Sequence, residues 1–148
     1  MTEPFNHYLK DANTWLHYAQ RALGIQDEEQ TIRIFRAVLH ALRDRMPAPE
    51  AVNLGAQLPI LWKGIYFQGF KIREEPVVIR HEEEWLDFIR SQDQAGKIDF
   101  PTQDHVRLAF QDIMGLLETH LSEGLYLKVI QSLHHEIVNV LDQPVVGY

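Results

Sequence analysis

The charged side chains with the most distinctive spacing lie at Arg43-Asp44-Arg45, directly before a turn that contains proline. Two guanidinium groups beside a carboxylate could bind an anionic ligand, and Gln57 and Trp62 follow in the next predicted helix. In a functional interpretation, Asp44, Arg45 and these two residues line a small cleft. In a structural interpretation, which we favour, Arg45 or Asp44 pairs with unbonded backbone groups at the helix end. Adjacent residues do not face each other on a helix, so we expect Asp44 to pair across the turn or with another helix.

A basic stripe precedes this turn on the same predicted helix. It consists of four residues spaced three or four apart, namely Arg33, Arg36, His40 and Arg43. Such a row could bind an acidic partner or a phosphate group. Surface helices, however, normally carry one polar side, so the sequence favours a solvated face for this stripe.

The histidines and serines form no catalytic pattern. His135-Glu136 begins like the His-Glu-x-x-His helix of zinc proteases, but Asn139 stands at the second histidine position. No glutamate has a histidine three residues later, as di-iron bundles require. The chain also lacks the glycine-rich phosphate loops and the serine elbow of hydrolases. The sequence thus predicts no catalytic residue, no metal site and no cofactor, and it favours a protein without enzymatic activity.

The composition restricts the possible classes further. The chain has 148 residues, a net charge of -7 at pH 7 and no cysteine. An acidic surface repels phosphate backbones, so we expect no binding to nucleic acid. The sequence has no apolar run long enough to span a membrane and no secretory signal, so we expect no membrane association. The absence of cysteine fits a reducing cytoplasm, which is the predicted location.

Apolar residues at helical spacing predict the elements that position these groups. Helix A begins near Thr2 and ends at Gly24, where a left-handed stop is expected. Helix B begins at Asp27, whose side chain is a typical helix cap, and it ends at the turn formed by Met46-Pro47. A short tail is expected after Pro144.

Helix C follows the turn and contains an internal proline. Pro59 removes one hydrogen bond of the helix and its ring crowds the carbonyl of Gly55, so we expect one helix with a kink between these residues. The flexible backbone of Gly55 is expected to ease that crowding. After residue 70 the helical pattern stops, and Val77 to Ile79 could form an extended strap on the core.

The second half of the chain repeats the first. Its second copy has His134 where the first has Pro59, so we expect the kink in the first copy only. The sequence predicts an all-α fold of six main helices, arranged as two tandem three-helix repeats packed into one bundle. The repeats span about residues 1–70 and 81–142 of a single domain, 1–148, with a connector at about 71–80. Residues that align at an offset of 75 include Val38 with Ile113, Leu42 with Leu117, Leu58 with Leu133 and Trp62 with Ile137.

An aromatic run separated by glycines ends the first repeat. Trp62, Tyr66, Phe67 and Phe70 could form a pocket or an exposed contact patch. We favour a core role in which they seal the first repeat against the second. With the turn residues, they complete the set of candidate binding residues: Arg43, Asp44, Arg45, Gln57, Pro59, Trp62, Tyr66, Phe67 and Phe70.

Three blocks of the first half also carry a family resemblance. The segments 39–47, 55–59 and 64–70 resemble, in this order, a bacterial family catalogued as domain of unknown function 2267. Met46 and Phe70 stand where that family usually has leucine and tryptophan. The resemblance covers nearly the whole chain and implies an all-helical, cytoplasmic, bacterial protein, but it implies no activity.

Two functions remain open from the sequence. The first is a non-catalytic protein-interaction or scaffold module with a protein partner or a homodimeric state. The alternative is a small-ligand-binding protein or an enzyme that uses a cleft at the junction of helices B and C in the first repeat. A flat apolar patch at Tyr66 to Phe70 would favour the first function. A deep pocket holding Asp44, Arg45 and Gln57 would favour the second.

Overall fold

The computed structural model describes residues 3–72 and 75–144. Within these ranges the chain forms nine helices and no strand, so the all-α prediction is confirmed and the prediction of six helices is wrong. The cap expected at Thr2 and the tail expected after Pro144 lie outside the described residues. The helices are α1 (Asn6–Leu23), α2 (Glu28–Arg45), α3 (Ala48–Ala56), α4 (Ile60–Phe67), α5 (Glu82–Ser91), α6 (Gly96–Asp99), α7 (Gln103–His120), α8 (Glu123–Ser132) and α9 (His135–Val140).

The predicted ends of the long helices are confirmed by their hydrogen bonds. Gly24 ends α1 in the left-handed conformation, with φ of 69°, and its N–H donates to Gln20 O at 2.8 Å. Asp27 caps α2 by accepting the N–H of Gln30 at 3.0 Å. In the second half, the side chains of Thr102 and Ser122 cap α7 and α8 in the same way. Local capping chemistry therefore sets these boundaries.

The predicted kink in helix C is a complete break between α3 and α4. Pro59 has an extended backbone, with φ of -56° and ψ of 151°, and α4 begins at the next residue. The buried side chain of Leu58 fills the break. Proline has no N–H to donate to the hydrogen bond that would continue α3. The helix therefore ends before Pro59 and does not continue through it with a kink. Gly55 has a role other than the expected one, because a Cβ there would lie 2.4 Å from Phe67 Cζ.

A second break separates α8 from α9, where the sequence predicted one continuous helix. His134 has φ of -62° and ψ of 147°, nearly the angles of Pro59, and its Nδ1 accepts the N–H of Glu136. Leu133 is buried at this break, as Leu58 is at the first. The expectation that this helix is interrupted only in the first half of the chain is therefore wrong. The turn does not require proline, because His134 adopts it as well. A leucine is buried at both breaks, and the helix after each break packs against the first helix of its own half, α4 against α1 and α9 against α5.

The two halves pack through matching contacts. Helix α2 packs against α7, and α3 packs against α8. Helix α1 covers α2, α4 and α7, while α5 covers α7, α9 and α2. Each covering helix therefore contacts the long helix of the other half. One connected core draws buried side chains from both halves, among them Phe35, Leu42, Trp85, Phe110 and Ile113.

The segment between the halves lies partly on this core. Ile79 is buried, and the N–H of Val77 donates to Asp44 O at 3.1 Å, as expected for an extended strap. Val78 points to solvent. Among the described helices, none is both long enough and apolar enough to cross a membrane.

Candidate functional site

Arg43 is the centre of the polar junction between α2 and α4. The Arg43 side chain is only 4% exposed, although it is charged. Its Nη1 donates to Tyr66 O at 2.6 Å and to Gln68 O at 2.7 Å, and these carbonyls lie at the end of α4, where helical partners are missing. Its Nε donates to Asp44 Oδ1 at 2.9 Å, and its guanidinium lies 5.6 Å from the ring centre of Phe70. The last turn of α2 thus caps the end of α4.

One expectation for this turn is wrong. Asp44 was expected to avoid its neighbours along the helix, but it forms an ion pair with Arg43. The pair forms because the α4 carbonyls hold the Arg43 head group away from its own helix, with one edge free to meet the carboxylate. The carbonyls that Arg43 satisfies lie at the end of α4, and the expected pairing of Arg45 or Asp44 with backbone groups at the proline turn stays a prediction.

The basic stripe of α2 is largely engaged with the rest of the protein, which corrects the expectation of a solvated face. Arg33 binds both carboxylate oxygens of Asp99 at 2.7 and 2.9 Å. His40 Nε2 lies 2.8 Å from Ile65 O, and because a carbonyl only accepts, this nitrogen carries the proton. Burial, with Arg43 nearby, lowers the pKa of His40. Three of the four stripe residues therefore hold α2 to other elements.

The remaining turn residues do not assemble into the predicted cleft. Gln57 exchanges two 2.9 Å hydrogen bonds with Ser122 at the start of α8. Trp62 is buried, and its indole N–H donates to Ala12 O of α1 at 3.1 Å. Arg45 is half-buried, and burial lowers its pKa. The break at Pro59 explains this separation, because it turns α4 so that Trp62 faces α1 while Gln57 stays beside α8.

The aromatic run is mainly core. Tyr66 is fully buried and its hydroxyl donates to Ala51 O at 2.5 Å, and burial raises the pKa of Tyr66. Phe67 packs edge-on against Tyr66 with ring centres 4.9 Å apart, and it is half-buried like Phe70. Helix α4 packs against α1, α2 and α3, all in the first half. The run therefore closes the core of its own half and is not a flat exposed patch.

A small cleft does open beside Arg43. It measures about 180 Å³, and Asp44, Phe70 and Lys71 contribute to its wall together with the proline turn. Four of the five N–H donors of Arg43 are already bonded within the protein. An anion in this cleft would have to displace those bonds, so the cleft is poorly equipped to hold one.

A buried acidic pair beside the basic stripe of α2 was not predicted from the sequence. Asp93 and Asp99 are each 5% exposed, and Asp99 is the partner of Arg33. Burial, with a hydrogen bond to Asp99, raises the pKa of Asp93 to about 6. Burial also acts against ionised Asp99, but the hydrogen bonds from Arg33 outweigh it and lower the pKa of Asp99. The loop sequence Asp93-Gln94-Ala95-Gly96 signals only a turn, and nothing local indicates a partner on α2.

The described residues contain no convergent metal site, since no three His, Asp or Glu side chains among them are placed to hold an ion. They define an all-helical protein whose most distinctive polar groups join its own helices. Residues 12–140 match the family model described as uncharacterized conserved protein (DUF2267), and the chain belongs to that family. The family resemblance in the sequence is thereby confirmed. No curated protein matches the chain.

Proposed function

We propose that this protein is a non-catalytic interaction module whose partner is a second copy of the same chain. The observation that supports this proposal is an apolar surface on α1 and α4. Four of the nine large hydrophobic side chains exposed in the described residues belong to it. They are Phe5, Leu9, Ile60 and Leu61.

These side chains flank the contact between α1 and α4. Leu9 lies one turn before Ala12, whose carbonyl accepts the Trp62 indole, and Leu61 directly precedes Trp62. The apolar face of α1 runs along the whole helix, but only Leu16 and Ala19 are buried. Phe5 and Leu9 remain 70% and 51% exposed. The apolar face at the start of α1 therefore projects past the core, and no part of the described core covers it there.

Charge favours a second copy as the occupant of this surface. Helices α1 and α4 carry three cationic residues, Lys10, Arg21 and Lys63, against one anionic residue, Asp11. The whole chain has a net charge of -7, so two copies would repel each other over most of their surfaces. Apposing α1 and α4 with their counterparts brings only these four charged residues of each copy near the contact and keeps the acidic remainder of the two chains apart. A helix face also pairs readily with itself across a two-fold axis, the commonest symmetry of oligomers.

Sedimentation velocity over a wide concentration range tests this proposal. We expect the mass of the wild-type protein to approach twice the chain mass, and we expect Leu9→Glu to remain monomeric because it places a charge at the centre of the contact. Leu127→Glu is the matched control, since Leu127 is 54% exposed on α8. A wild-type protein that stays monomeric at the highest concentration contradicts the proposal. Dissociation by Leu127→Glu but not by Leu9→Glu also contradicts it.

We further propose that the chain is one domain formed by an internal duplication, with the connector at about 71–80. The two breaks support it, because Leu58-Pro59 and Leu133-His134 align at the same offset as the long helices. The reciprocal packing of α1 on α7 and of α5 on α2 supports it as well. The predicted cytoplasmic location and bacterial origin stay predictions. Ligand binding in the cleft beside Arg43 is the weaker alternative, because the cleft is small and its main cation is already bonded.

A further inference from the structure

A groove on the other end of α1 contains a carboxylate that the protein itself leaves without a counter-charge. The groove measures about 480 Å³ and runs between α1 and α7. Asp112 lies in it, half-buried, and makes no hydrogen bond or ion pair with any described residue. A carboxylate that is partly withdrawn from water gains from a cationic or hydrogen-bonding partner. Asp112 is therefore a candidate binding group.

Few groups around Asp112 offset its negative charge. Burial alone raises the pKa of Asp112 to about 6, without compensation from a neighbouring cation. Arg21 and His120 also line the groove. Arg21, however, lies over the ring of Tyr18, 5.6 Å from its centre, and the His120 ring stacks on the Tyr18 ring with centres 4.4 Å apart. The arginine that lines the groove is thus engaged with an aromatic ring.

The other polar groups near Asp112 are occupied. Gln111 donates to the carbonyls of Val140 and Gln143, at 2.7 and 2.8 Å. The hydroxyl of Thr119 donates to Gly115 O at 3.0 Å. Gly115 leaves open space above the helix, since a Cβ there would meet no atom within 4 Å. Asp112 is therefore the carboxylate that lines this groove, and its oxygens accept no hydrogen bond from a described residue.

The groove has an apolar floor and an aromatic end. Leu116 and Ala22 lie between Asp112 and the stacked pair of Tyr18 and His120. Eight residues of helix separate Asp112 from His120, which is about 12 Å along the axis. An occupant would thus meet a carboxylate first, then aliphatic carbon, and then aromatic rings.

We propose that this groove binds a small organic cation, with an ammonium group on Asp112 and an apolar or aromatic body lying towards Tyr18 and His120. The ammonium supplies the donors that Asp112 lacks, and the body covers the aliphatic floor. Aromatic faces attract cations, as the position of Arg21 over Tyr18 already illustrates. The negative charge of the whole chain also favours a cationic ligand over an anionic one.

Calorimetric titration with tryptamine tests the proposal, with tryptophol as the matched neutral ligand. We expect tryptamine to bind and tryptophol to bind at least about tenfold more weakly, because only the amine can pair with the carboxylate. Asp112→Asn should weaken tryptamine binding by about tenfold or more, whereas Asp142→Asn, the same charge change at an exposed position, should not. The Asn variant should fold, since it removes an uncompensated charge and keeps the shape of the side chain.

The pH dependence gives a second readout. Binding should weaken by about tenfold from pH 7.5 to pH 5, because Asp112 then becomes protonated. The other titratable or charged groups that face the groove are Tyr18, Arg21 and His120. The Asn variant separates the titration of these groups from that of Asp112. Equal affinity for the amine and the alcohol, no binding of tryptamine, or unchanged binding by Asp112→Asn would each overturn the proposal.

Discussion

At the scale of single residues, the most informative side chain is Arg43, whose role differs from the one its sequence context suggests. A cation at a helix end before a proline turn resembles a ligand-binding group. In the fold, Arg43 is buried and joins three carbonyl or carboxylate groups from two elements. A buried cation of this kind makes the junction depend on it, because removing it takes the hydrogen-bond donor from two carbonyls and one ion-pair partner from Asp44.

Replacement of this cation should destabilise the fold. We expect Arg43→Met to lower the free energy of unfolding by about 3 kcal/mol, since the variant keeps the length of the side chain but loses every bond of the guanidinium. Arg36→Met, two stripe positions before Arg43 and half-buried, should change the free energy of unfolding by less than about 0.5 kcal/mol. Urea unfolding followed by circular dichroism measures both. Equal midpoints for the two variants would show that the Arg43 bonds contribute nothing net.

At the scale of elements, the two breaks show that tertiary packing decides where these helices stop. Pro59 marks the first break in the sequence, but His134 adopts nearly the same backbone angles with no such mark. What the sites share is a buried leucine directly before the turn. Close packing also explains Gly55, which lies under the rings of Tyr66 and Phe67. A glycine in a helix thus allows α4 to fold back onto α3.

Two glycines of the same hairpin should respond in opposite ways to alanine. Gly55→Ala places a Cβ 2.4 Å from Phe67 Cζ and 2.7 Å from Tyr66 Cε1, so we expect a loss of about 1–3 kcal/mol of stability. Gly64→Ala lies within α4 with no atom within 4 Å, so we expect a gain of up to about 1 kcal/mol. Thermal unfolding of both variants checks the pair. A stabilising Gly55→Ala would mean that the aromatic rings move aside at little cost.

The sequence was sufficient to predict some of these elements and insufficient to predict others, and the difference has a physical reason. The long amphipathic stripes of α2 and α7 and their caps depend on local periodicity and local hydrogen bonds, so they were predicted correctly. The break before His134 and the pairing of Arg33 with Asp99 depend on groups far apart in the chain. The positions of Gln57 and Trp62 could not be predicted for the same reason, because they are close in sequence but bond to α8 and α1.

At the scale of the whole molecule, the reciprocal packing makes each half depend on the other. Helix α1 lies on α7 of the second half, and α5 lies on α2 of the first. Separation of the halves would expose both faces, together with the contact between α2 and α7. Helices of 8 to 10 residues such as α3, α4, α5 and α8 are not stable alone in water, and a chain of half this length buries little surface. We therefore expect the two halves to unfold as one cooperative unit.

Production of residues 1–75 and 76–148 as separate chains tests this dependence. We expect neither half alone to show a cooperative thermal transition, and we expect an equimolar mixture to regain one, because mixing restores α1 on α7 and α5 on α2. The full chain cut at a protease site inserted in the connector is the control for the loss of covalent linkage. If either half alone unfolds cooperatively at the temperature of the intact chain, then the halves are independent domains and their exchanged contacts add no stability.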